Sequence, residues 1–186
     1  SSGYGGGHSA SGSSGNNSSS NGSSSGNGNS VATVEQNIVD NVVDFSNTPS
    51  APEVIDRRGV TDFEVISGSN NPDSIYAGDG GTSLWGGNGF ASDTLVGGLG
   101  KDIFVCGKNH GADLILNAAP KDTIFFNDAT IDDVISAVEN NLTISVTFNT
   151  GNVVTVKSPE LLSAKLQPAD GNAYRFNHMG RNRQKA

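Results

Sequence analysis

Between Asp62 and Phe125 the chain beats out a regular polar–apolar pulse. An aspartate, one intervening residue and a large apolar side chain recur at Asp73-Ser74-Ile75, Asp93-Thr94-Leu95, Asp102-Ile103-Phe104, Asp113-Leu114-Ile115 and Asp122-Thr123-Ile124. Thr82-Ser83-Leu84 fills the one gap. The successive steps from residue 73 are 9, 11, 9, 11 and 9 residues, so two interleaved series each repeat every 20: residues 73, 93 and 113, and residues 82, 102 and 122. Asp62 extends the second series backwards by one period. A fixed period of this size is the signature of a stacked solenoid. Each step predicts a short strand that turns one apolar side chain inward, followed by a Gly-rich turn and a second strand on the opposite wall. The fold class expected is all-β dominant: a parallel β-roll over residues 53–126, with about 20 residues per coil. Ile75, Leu84, Leu95, Phe104, Ile115 and Ile124 are its predicted core.

Side chains alternate along a strand, so the residues flanking each inward position point outward. Tyr76, Val96 and Leu116 form one such column, and Trp85, Val105 and Phe125 the other. Apolar columns on the outside call for a cover, supplied either by the flanking segments or by another molecule. Upstream, Val31, Val34, Ile38, Val42 and Phe45 fall at helical spacing, while their β-branched content favours strand. Residues 31–52 are therefore read as an N-terminal cap or linker, either helix or strand. Glu53-Val54-Ile55 lies one period before Asp73-Ser74-Ile75. Arg57-Arg58-Gly59 reads as a turn in which an arginine pairs with Asp56 or Glu53.

Downstream, residues 127–177 read as an α+β cap for the open end of the roll, one helix plus a hairpin. Thr130-Ile131-Asp132-Asp133 has the form of a capped helix start. Ile131, Val134, Ile135 and Val138 give its apolar stripe, and Asn140-Asn141 its end. Leu142–Phe148 and Val153–Lys157 alternate as a hairpin around a turn at 149–152. A short helical turn from Ser158-Pro159-Glu160 to Leu162 and a last strand at 173–176 complete the cap. Residues 1–30 are Ser, Gly and Asn with little else, and read as a flexible arm. Residues 178–186 form a basic tail.

The 186 residues carry a formal net charge of −8, which argues against nucleic acid or an anionic membrane surface as partner. No apolar run approaches the roughly 18–20 residues of a membrane span. Cys106 is the single cysteine, so no internal disulfide forms. His8, His110 and His178 are scattered, and no metalloprotease or phosphate-loop motif occurs. Gly22-Ser23-Ser24-Ser25-Gly26 fits a hydrolase elbow on paper, but no strand–turn–helix surrounds it. Enzymatic activity is not expected.

The period brings aspartates to the same edge in successive coils, and stacked strands lie about 4.8 Å apart. Carboxylates at that spacing repel one another unless a cation sits among them. A hard divalent cation with oxygen ligands suits the column, which means calcium. Asp73, Asp93 and Asp113 make one column. Asp102 and Asp122 make the other, with Asp79 standing in where Thr82 lacks the acid. For Asp113 and Asp122 an alternative is that each only caps its own turn.

Gly97-Gly98-Leu99-Gly100-Lys101-Asp102-Ile103-Phe104-Val105 matches the nonapeptide G-G-x-G-x-D-x-U-x at every specified position. Residues 86–96 match it with two extra residues, and residues 77–85 keep two of its glycines. In these units the chain resembles the RTX family, the hemolysin-type calcium-binding repeats. The resemblance implies a calcium-binding β-roll whose ligand shells include the backbone carbonyls of Gly78, Gly80, Gly87, Gly89, Gly98 and Gly100. It also implies type I secretion and calcium-triggered folding outside the cell, at the ~10⁻⁴–10⁻³ M affinity of extracellular modules. The alternative is a self-assembling subunit of an extracellular fibre, surface layer or biofilm matrix, joined through the outer apolar columns or the N-terminal arm. A third reading is the C-terminal piece of a secreted enzyme or toxin.

Overall fold

The computed structural model describes residues 38–48, 54–157, 165–171 and 174–175. Among these, β1 (Ile38–Val39) and β2 (Val42–Asp44) form a hairpin through Asp40 and Asn41, both in the left-handed region. From β2 the chain winds as a parallel solenoid. One wall stacks β2, β4 (Glu64–Ser67), β6 (Thr82–Trp85), β8 (Ile103–Cys106) and β10 (Thr123–Phe126). The other stacks β3 (Val54–Asp56), β5 (Ser74–Tyr76), β7 (Thr94–Val96) and β9 (Leu114–Leu116). Register within each wall is unbroken: Ile66, Leu84, Phe104 and Ile124 align on one, Ile55, Ile75, Leu95 and Ile115 on the other. All eight are wholly buried and face each other across the core. Each contributes roughly 1.5–3 kcal/mol of burial.

The expected β-roll is thus present, with every predicted inward residue in its core. The outer columns also align as expected, Tyr76–Val96–Leu116 and Trp85–Val105–Phe125, and are half-buried. The turns between strands are drawn so close that successive coils touch backbone to backbone. A Cβ at Gly98 would run into the Gly78 carbonyl one coil away, so glycine is required there by space rather than by φ.

The C-terminal cap extends both walls. β11 (Val134–Asn140), β12 (Thr143–Phe148) and β13 (Val153–Lys157) form an antiparallel meander, and β13 joins β9 in parallel. β14 (Lys165–Pro168) joins β10, and β15 (Tyr174–Arg175) pairs with β14. Among the described residues no helix is long and apolar enough to cross a membrane.

Three details differ from the sequence expectation. The helix expected from Thr130 is a single 3-10 turn, Ile131–Asp133, after which the chain is strand. Its start was legible, since the Thr130 amide donates to the Asp133 carboxylate at 2.8 Å. The β-branched Val134 and Val138 then pair with β12 instead of continuing the helix, and Ile135 sits at the register shift between Val134 and Ser136. Upstream, residues 38–45 are strands, and Val43 and Phe45 enter the core while Val42 stays 41% exposed. The coil from β4 to β6 is also two residues shorter than the period. Glu64, not Asp62, aligns with Thr82, and Asp62 lies exposed in the turn. The arm, residues 31–37, the turn at 158–162 and the basic tail lie outside the described residues.

Two substitutions test this packing. Leu95→Ala should lower unfolding stability by about 2–5 kcal/mol. Gly98→Ala should lower it by about 1–3 kcal/mol although it adds only a methyl group, because backbone cannot yield as a side chain does. Denaturant titration checks both.

Candidate metal centre

The turns collect on two edges. The first edge carries Asp73, Asp93 and Asp113, which lead into β5, β7 and β9. The second carries Glu64 and Thr82, which open β4 and β6, and Asp102 and Asp122, which lead into β8 and β10. The columns expected from the 20-residue period are therefore formed, and their members lie inside the edge, at most 4% exposed.

Three of the carboxylates bridge coils. The Asp73 amide donates to Asp93 Oδ1 at 2.8 Å, the Asp93 amide to Asp113 Oδ1 at 3.0 Å, and the Asp102 amide to Asp122 Oδ1 at 2.9 Å. Some also close their own turn. Asp73 Oδ2 accepts from the Ser69 amide at 2.7 Å, Asp102 Oδ2 from Gly98 at 2.8 Å, and Asp122 Oδ2 from Ala119 at 2.7 Å. Turn capping thus holds for Asp122. Asp113 receives no amide from its own turn. Thr82 does the same work with its hydroxyl, accepting from the Gly78 amide at 3.2 Å. Asp79 is exposed at the turn tip rather than turned into the column.

Of the glycines expected to lend carbonyls, Gly78, Gly80, Gly98 and Gly100 lie on the second edge and Gly87 and Gly89 on the first. Gly87 has φ 121 and stands against the Ser69 carbonyl of the neighbouring coil, where no side chain fits. Stacked turns therefore bring backbone oxygens close to the carboxylate columns.

Hydrogen bonds answer the polarity of these carboxylates but not their charge. Burial pushes Asp93 up to about 7, Asp113 to about 8 and Asp102 to about 6, and a neighbouring carboxylate adds to each. Asp122 is raised for the same first reason. Asp102 Oδ1 is fully enclosed with no hydrogen-bond partner. An all-oxygen donor set with uncompensated buried charge fits a hard cation. Among the described residues no three His, Cys, Asp or Glu side chains converge on one point. A cation here would take one or two carboxylates and complete its shell from turn carbonyls.

Some residues of this architecture escaped the sequence pattern. Glu64 heads the second column and is gripped by Arg57 at 2.6 Å, while Arg58 takes Asp56 and stacks over Tyr76. Asp128 accepts the Lys108 amide at 2.8 Å, again across 20 residues, and stands 3.6 Å from His110. His110 in turn accepts from the Trp85 indole at 3.3 Å. The signal for Asp128 was its distance from Lys108. It has no apolar residue two places on, so the Asp-x-apolar pattern passed it over.

No protein-family model, curated protein or solved structure matches the chain.

The raised carboxylates fix a pH dependence for the protein with no cation bound. The folded state holds these protons more tightly than the unfolded chain, whose aspartates titrate near 3.8. Stability from this source is full below about pH 4 and is lost as pH rises through about 6–8. In chelator the thermal midpoint should therefore be higher at about pH 5 than at about pH 8. A midpoint that rises across that interval contradicts the burial of these charges.

Proposed function

We propose that the protein is a secreted calcium-binding β-roll that folds, or tightens, when it meets calcium outside the cell. One observation carries the reading: two columns of buried carboxylates in a 20-residue register, hydrogen-bonded between coils and, at Asp93 and Asp113, without a counter-charge. Asp73, Asp93, Asp113, Asp102 and Asp122 supply the charge, and the glycine-rich turns supply carbonyl oxygens. The match of Gly97–Val105 to the RTX nonapeptide supports the choice of calcium among hard cations. Without the ion the columns repel themselves and the coils are weakened. With it the same oxygens bind neighbouring coils to one another.

Circular dichroism and thermal unfolding in chelator and in millimolar calcium test this. Calcium should deepen the β signal or raise the midpoint by several degrees, since ligand at about 100 times Kd adds about 2.7 kcal/mol. No change in either sinks the reading.

A second reading, self-association into an extracellular structure, draws on the outer surface. Ile135 and Val138 of the edge strand β11 are 53% and 57% exposed, and the outer columns are only half-buried. Light scattering with and without calcium separates a monomer from calcium-dependent polymers.

A further inference from the structure

The two columns are not equivalent. On the second edge each acidic position is answered from within the chain. Glu64 is paired with Arg57, and Thr82 is neutral. Asp102 and Asp122 each receive a turn amide on Oδ2. The Lys121 ammonium is bonded to the Leu99 carbonyl of the neighbouring coil, and its charge acts on both carboxylates. Asp102 Oδ1 alone lacks a hydrogen bond; it is sealed from solvent, and the Thr82 amide favours the charge of that carboxylate.

The first edge is built differently at Asp93 and Asp113. Both follow the longer, 11-residue step of the repeat. The extra residues carry the turn amides away, so neither carboxylate receives a donor on Oδ2, although the residues are 4% and 2% exposed. Asp93 Oδ2 lies against the Gly86 backbone, where not even a Cβ fits. The Asn109 amide, four residues before Asp113, donates to Asp128 instead. Among the described residues no basic side chain pairs with Asp93 or Asp113. Two buried carboxylates there keep an open oxygen each and no counter-charge.

We propose that the divalent cation is taken up by the first edge, through Asp93 and Asp113, and that Arg57 and Lys121 serve as resident cations on the second. The inference rests on the calcium-binding reading. A cation approaching Asp102 and Asp122 meets the like charge of Lys121, two oxygens of Asp122 and one of Asp102 already holding amides, and an Asp102 Oδ1 sealed from solvent. One approaching Asp93 and Asp113 meets uncompensated charge and free lone pairs. The most regular nonapeptide, Gly97–Val105, then belongs to the edge that does not load, and the two-residue insertions mark the edge that does.

Terbium, a luminescent stand-in for calcium, tests the assignment. Trp85 is the single tryptophan and directly precedes the 86–93 turn of the first edge, so tryptophan-excited terbium emission reports that edge. Emission should appear in the wild-type chain and be displaced by calcium. Asp93→Asn and Asp113→Asn should each weaken terbium binding at least about tenfold, the loss found even for outer partners of metal ligands. Asp102→Asn should leave it within about threefold, well short of that loss. Lys121→Met should raise the number of ions bound, and in chelator it should lower the thermal midpoint, a readout that needs no metal. Loss of emission in Asp102→Asn with retention in Asp93→Asn overturns the assignment, as does an equal loss in both. An unchanged midpoint for Lys121→Met in chelator removes its role as resident cation. Failure of the wild-type chain to bind either ion overturns the calcium reading itself, and the assignment with it.

Discussion

The structure depends on one bond repeated along its length: a backbone amide at the start of a strand donating to the carboxylate of the aspartate one coil on. At that point the chain leaves a turn and has no strand ladder yet to satisfy its amide. The carboxylate supplies the acceptor, and in Asp122 the same group also closes its turn. Register between coils, turn geometry and the inward pointing of the next apolar residue are all set there. The bond is charge-assisted and strong for its kind. It also places an anion where water cannot reach it. A fold built this way carries buried charge, and its stability follows pH more closely than that of a roll with a neutral ladder.

The second edge displays other solutions to the same geometric demand. Glu64 occupies the column with an arginine in its grip, and Thr82 occupies it with a hydroxyl and no charge. Asp102 occupies it with an amide on one oxygen and Asp122 with an amide on each, a lysine lying near both. The position demands an acceptor; it does not demand an anion. Charge retained where a hydroxyl would serve is the feature on which the proposed cation site at Asp93 and Asp113 rests.

Much of this was legible because a solenoid writes its period directly into the chain. The 20-residue spacing, the Asp-x-apolar step and the inward residues follow from strand alternation alone. What was hidden depends on neighbours far along the chain. Val42 lost the core to Val43 because the hairpin with β1 sets the phase of β2, which helical spacing cannot reveal. Glu64 displaced Asp62 because one turn is two residues shorter than the rest. The stripe at Ile131–Val138 reads equally as helix or strand until β12 is placed beside it. The open oxygens of Asp93 and Asp113 were invisible too. The two-residue insertions could be counted, but where the turn amides would point could not. His110 reaches both Trp85 and Asp128 only because three different coils bring them together.

A coil of 20 residues made from two unequal arcs also governs how such a chain can change length. Duplicating or deleting 20 residues returns every strand to its own wall and every aspartate to its own edge, so a longer or shorter molecule is reached in one step without a new core. Gaining or losing 9 or 11 residues instead sends all later strands to the opposite wall and exchanges the two edges. Growth of this fold is therefore quantised, and the unit of inheritance is the full turn rather than the nonapeptide.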